Sequence, residues 1–129
     1  MLKKMLLAFT VVAMAALISC SNDHGTEPAP FDAVAPPTPT GLSVTSGAEQ
    51  ATIAWDYPAE DMATLEEFRV YYYFPAYNVV ELAGTTTDMT YVDTKLVGNF
   101  EYCYKVSAVD TFGMEGYRTE EECAVINTR

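Results

Sequence analysis

The stretch that decides the fold is Tyr102-Cys103-Tyr104-Lys105-Val106-Ser107-Ala108-Val109-Asp110. Read with a period of two, it puts Tyr102, Tyr104, Val106 and Ala108 on one side and Cys103, Lys105, Ser107 and Val109 on the other, the pattern of a half-buried strand. Working outward, the same period predicts Phe68, Val70, Tyr72 and Phe74 inward with Arg69, Tyr71 and Tyr73 outward. It also puts Ile53 and Trp55 on one face of 51–57, and Leu42 and Val44 on one face of a first strand. Each run is bounded by Gly, Pro, Asp or Asn clusters, which points to several short strands packed as an all-β sandwich. Only Asp61–Glu67 is helix-compatible, and its apolar residues suffice for at most one turn between strands. The chain has 129 residues, 50% hydrophobic and 12% aromatic, enough for one domain with extensions but not for two.

Upstream of this patterned part, Lys3 and Lys4 precede an apolar run from Met5 to Ile18 broken only by Thr10. The run is short for a membrane span and fits a secretory leader. Leu17-Ile18-Ser19-Cys20 resembles the bacterial lipobox, which implies that Cys20 is acylated and the chain cut before it; an ordinary leader with an incidental Cys is the alternative. Residues 20–38 then form a Pro-rich stretch with Pro28, Pro30, Pro36 and Pro37, expected to act as an extended tether. The expected organisation is therefore leader 1–19, acylated Cys and tether 20–38, and folded domain 39–129. The implied address is a bacterial cell envelope, with the outer membrane or cell surface favoured over the inner membrane.

The charge balance limits partners. Seven Lys and Arg stand against 18 Asp and Glu, a net charge of −11. Removing residues 1–19 deletes only Lys3 and Lys4 among charged groups, leaving 5 against 18, or −13. Such a field repels nucleic acid. The single His24 lies in the tether, so no Ser-His-Asp or Cys-His arrangement can form in the domain, and no phosphate loop follows a strand. Carboxylates cluster at Glu66-Glu67 and Glu120-Glu121-Glu122 without the spacing of a calcium site or of paired glycosidase acids, and read as solvated strand ends. Catalytic residues, metal sites and cofactors are expected to be absent.

Several segments in order resemble a fibronectin type III domain: Pro39-Thr40-Gly41-Leu42-Ser43-Val44 as entry to the first strand, Ala51–Tyr57 with Trp55, Phe68-Arg69-Val70-Tyr71-Tyr72, and Tyr91-Val92-Asp93-Thr94-Lys95-Leu96 followed by Tyr102–Asp110 as its tyrosine corner. The resemblance covers 39–128 and implies an immunoglobulin-like sandwich of about seven strands. Two departures stand out. Gly98 replaces a frequent Pro, and Phe100 replaces a small polar residue, which leaves an aromatic exposed on the loop.

If the last two strands form a hairpin centred on Gly113, Cys103 and Cys123 lie opposite each other, and an exported chain would bridge them; two unpaired thiols are the alternative. That register puts Ala124 and Ile126 inward and Val125 outward. Outward Tyr71 and Tyr73, with Tyr77 nearby and Phe112 and Tyr117 in the last loop, form a possible binding face for a protein or glycan. The competing reading is cross-strand packing that stiffens the sheet. The functional expectation is a non-catalytic, membrane-anchored binding or spacer module. A structural accessory subunit of a larger envelope complex is the alternative, and a small hydrolase the least favoured.

Overall fold

The structure, a computed structural model, describes residues 34–129. Cys20, His24 and the leader and tether up to residue 33 lie outside the described residues. Seven strands follow one another: β1 (Thr40–Gly47), β2 (Gln50–Asp56), β3 (Leu65–Phe74), β4 (Val79–Thr86), β5 (Thr90–Thr94), β6 (Glu101–Asp110) and β7 (Glu122–Val125). A short 3-10 helix, Ala59–Thr64, joins β2 to β3, close to where one turn was expected. All pairings within the sheets are antiparallel, in a three-stranded sheet ordered β1-β2-β5 and a four-stranded sheet ordered β4-β3-β6-β7.

The period-two reading places the core. Ile53, Trp55, Phe68, Val70, Tyr104, Val106, Ala108 and Ile126 are all buried and pack as one cluster. Trp55 and Tyr57 both meet Phe68 edge-on, at 5.2 and 5.1 Å between ring centroids, the geometry aromatic pairs prefer. The indole Nε1 of Trp55 is buried with no hydrogen-bond partner. The core is polar at one end. Asp93 is buried, and the Tyr104 hydroxyl donates to its Oδ2 at 2.8 Å. Burial first, and then the Asp93 carboxylate, raise Tyr104 and Tyr72 well above the ordinary tyrosine value. At the tyrosine corner the backbone N–H of Val97 donates to the Tyr102 hydroxyl at 3.1 Å.

At five positions burial does not follow facing. Phe74, read as inward, is 39% exposed, because Pro75 ends the strand there and turns the chain away from the opposite sheet. Tyr71, read as an exposed outward residue, is buried, as are the outward Cys103, Ser107 and Val109. The segment between Glu115 and Thr119 runs along the edge of β6, and its Glu115 and Arg118 side chains lie over this side of the sheet. Gly116 N–H donates to Ala108 O and Thr119 N–H to Val106 O. The hairpin is also uneven. Cys103 pairs with Cys123, as a centre at Gly113 requires, yet Val109 bridges Glu115, so the returning chain holds two more residues than β6 between these pairs. β4 has no legible alternation in sequence, because the β3–β4 register shifts between Val70 and Tyr71 and leaves Ala83 without a register partner.

The two poles of the sandwich differ. At one pole lie the β2–β3 and β6–β7 connections and the entry of the chain: Pro36 packs so closely on Gly116 that a Cβ there would sit 2.3 Å from the Pro36 carbonyl oxygen. At the other lie the β1–β2, β3–β4 and β5–β6 connections and the last residues. Here Asn127 forms a parallel bridge with Ala48, Glu49 N–H donates to Asn127 O, and Asn127 N–H donates to Ser46 Oγ.

Candidate functional site

The outer face of the four-stranded sheet is a closed polar network. Glu115 accepts hydrogen bonds from the Tyr71 hydroxyl, from Ser107 Oγ at 2.7 Å and from Arg69 Nη1 at 3.1 Å. Burial alone would raise the Glu115 carboxyl, but bonds from Tyr71 and Ser107 and the charges of Arg69 and Arg118 outweigh it and hold it below the ordinary glutamate value. Arg118 caps the Tyr71 ring at 4.4 Å, and Lys105 caps Tyr73 at 4.6 Å while pairing with Glu121 at 3.5 Å. These contacts match the stiffening role of Tyr71 and Tyr73 more closely than an open platform.

The five aromatics expected on one face are distributed. Tyr71 and Tyr73 lie on the sheet. Tyr77 sits in the β3–β4 turn at one pole, and Phe112 and Tyr117 lie in the β6–β7 connection at the other. The last three are 79–84% exposed. Asp110 orders the loop of Phe112 and Tyr117, its Oδ1 accepting from the N–H groups of Phe112 and Met114.

A different aromatic site emerges where β3 and β6 diverge. Their pairing stops at Tyr73↔Cys103, since Pro75 lacks the N–H that would continue it. The chain turns with Tyr77 N–H donating to Phe74 O at 3.1 Å and Asn78 in the left-handed region at φ 49°. The fork opens a cleft of about 250 Å³ walled by Tyr73, Phe74 and Pro75 from one strand end and Phe100, Glu101 and Tyr102 from the other. Phe100 is 63% exposed, as its replacement of a small polar residue suggested. Phe74 was missed because parity alone points it inward; the adjacent Pro75 was the available signal.

Cys103 and Cys123 are joined by a disulfide behind this cleft. The Glu101 carboxylate and the two sulfurs lie within 4.8 Å of one another. Bonded to each other, the sulfurs lack the thiolate charge that binds a metal, so this cluster is not a metal site in the oxidised protein.

Strand order, tyrosine corner and core together define a fibronectin type III sandwich, a fold of non-catalytic binding and spacer modules in general. No model of a known protein family matches the chain, and no curated protein sequence matches it. Solved structures do. The chain is similar to an Fn3-like protein from Clostridium thermocellum, at 26% identity and TM-score 0.60 over 70% of this chain and 92% of that one. It is similar to the fibronectin type III domain of human fibronectin type III domain containing protein 3, at 14% identity and TM-score 0.63 over 81% and 94%. It also matches domains A168–A170 of titin, at 21% identity and TM-score 0.62 over 72% of this chain. It spans only 32% of that titin chain and 17% of the twitchin kinase region from C. elegans.

Proposed function

We propose that this chain is a non-catalytic bacterial envelope lipoprotein, anchored through Cys20, that presents a protein- or glycan-binding module at the end of its tether. The lipobox-like Leu17–Cys20 and the Pro-rich residues 20–38 support the anchoring part. The observation that carries the binding part is polarity: the aromatic cleft at the β3–β6 fork lies at the pole opposite the one where residues 35–40 enter the domain. A module attached at one pole leaves the other free of that covalent attachment. Fractionation with crosslinking on intact cells tests both parts. The native protein should sediment with membranes and Cys20→Ser should release it or block its processing, since stable anchoring takes more than one acyl chain. Crosslinked partners should be lost in a Phe74→Ser/Phe100→Ser double variant. A wholly soluble, unlipidated native protein sinks the anchoring, and an unchanged set of crosslinked partners sinks the cleft.

A further inference from the structure

Of the 18 acidic residues only Asp23, Glu27 and Asp32 precede residue 34, and of the 7 basic ones only Lys3 and Lys4, leaving 15 against 5 in the described part. Four of those five cations are already engaged. Arg69 pairs with Glu67 and Glu115, Arg129 with Glu49, Lys105 with Glu121 and the Tyr73 ring, and Arg118 lies on the Tyr71 ring. Glu101, at the mouth of the fork cleft, has no cation paired to it among the described residues. The walls beside it are the partly exposed rings of Phe74 and Phe100, whose faces carry the negative end of an aromatic quadrupole.

The polar groups of the cleft also discriminate among ligands. The Tyr73 hydroxyl donates to Asn78 Oδ1 at 3.3 Å, and the Tyr102 hydroxyl accepts from Val97 N–H at 3.1 Å. The Tyr102 hydroxyl keeps its proton and the Tyr73 hydroxyl its lone pairs, but Glu101 is the one charged side chain among the residues lining the cleft. A flat, weakly hydrated cation needs only ring faces and one counter-ion. The protein uses this chemistry once within itself, with Arg118 on Tyr71, while the cation on Tyr73 is the ammonium of Lys105.

We propose that the fork cleft takes a cationic side chain of a partner protein, an arginine guanidinium in preference to a lysine ammonium, against Phe74 and Phe100 with Glu101 as its counter-ion. This rests on the binding role proposed for the cleft and adds the ligand's chemical class. The test is an NMR titration of the full-length chain in detergent with three probes: blocked arginine, blocked citrulline and maltohexaose. Blocked arginine should move the Phe100 and Glu101 amides saturably, more weakly at higher salt, while citrulline, its neutral counterpart, should not. Glu101→Gln and Phe100→Ser should each weaken the response by about fivefold, the loss of one surface cation contact. Glu101→Lys, which supplies an amine of its own, should abolish the response even if another variant fails to fold. Equal responses to citrulline and arginine, or no saturable response to arginine, overturn the proposal. If maltohexaose moves the same amides and arginine does not, the cationic class fails while the binding role survives; only unchanged crosslinking by the Phe74/Phe100 double variant removes the role itself.

Discussion

Single side chains divide the structure into contacts that stabilise and contacts that cost. Trp55→Ala should lose about 3–5 kcal/mol in chemical denaturation, through transfer and cavity effects at a core position. Trp55→Phe should lose much less than its change in size suggests, because it also removes a buried N–H that has no partner, worth roughly 1–3 kcal/mol. The two tyrosine hydroxyls should likewise separate. Tyr102→Phe removes a bond from a loop N–H that water can replace, at about 1 kcal/mol, whereas Tyr104→Phe strips a donor from the buried Asp93 carboxylate and should cost more. An equal loss for both would show that Asp93 is not held by Tyr104. Glu115 gives a pH signature. Its folded carboxyl lies below the ordinary value of 4.5, so its contribution is complete above that pH and is lost as pH falls through the lower folded value. Stability curves of native protein and Glu115→Gln should therefore run parallel above about pH 4.5 and converge below it.

Among the elements, β7 is the shortest, four residues paired to β6 over Glu101–Tyr104 and cross-linked through Cys123. Closing a loop whose ends are 20 residues apart should stabilise by about 3 kcal/mol in the chain-entropy view. The Cys103→Ser/Cys123→Ser variant should lose about that much while keeping its fold, since the core cluster excludes both sulfurs. Loss of all strand signal in circular dichroism would show that the bridge is instead indispensable. The bridge was legible because the pairing near the cysteines is symmetric about Gly113; the two extra residues lie beyond it, where Glu115–Thr119 runs along the edge of β6, and nothing in the local pattern marks them. Period-two alternation found β1, β2, β3 and β6, since each has one face against the opposite sheet. It could not find β4, an edge strand with a shifted register, nor foresee that the outward face of β6 is covered. Parity tells which side a residue is on, and the covering comes from a distant segment. The same limit explains the site. Phe100 was legible as an oddity of the loop, but that it lines one cleft with Phe74 depends on where two strands part.

For the molecule as a whole, acidity should govern association. If the cleft's partner is cationic, crosslinking yield on whole cells should fall as ionic strength rises, because attraction between exposed charges fades beyond about 8–10 Å at physiological salt; a salt-independent yield would point to an apolar contact. The placement of the ends has a mechanical consequence. The chain enters at one pole through residues 35–40, and its last stretch is fastened at the other, where Asn127 bonds to the β1–β2 turn and Ile126 is fully buried. A pull between the two poles runs along the strands, so the hydrogen bonds joining β1 to β2 are loaded side by side rather than opened one after another. Resistance to such a pull is set by the unfolding rate and not by equilibrium stability. A pull applied between the two poles would therefore load this strand pair in shear, and the rate of its rupture would be the quantity a pulling experiment reads.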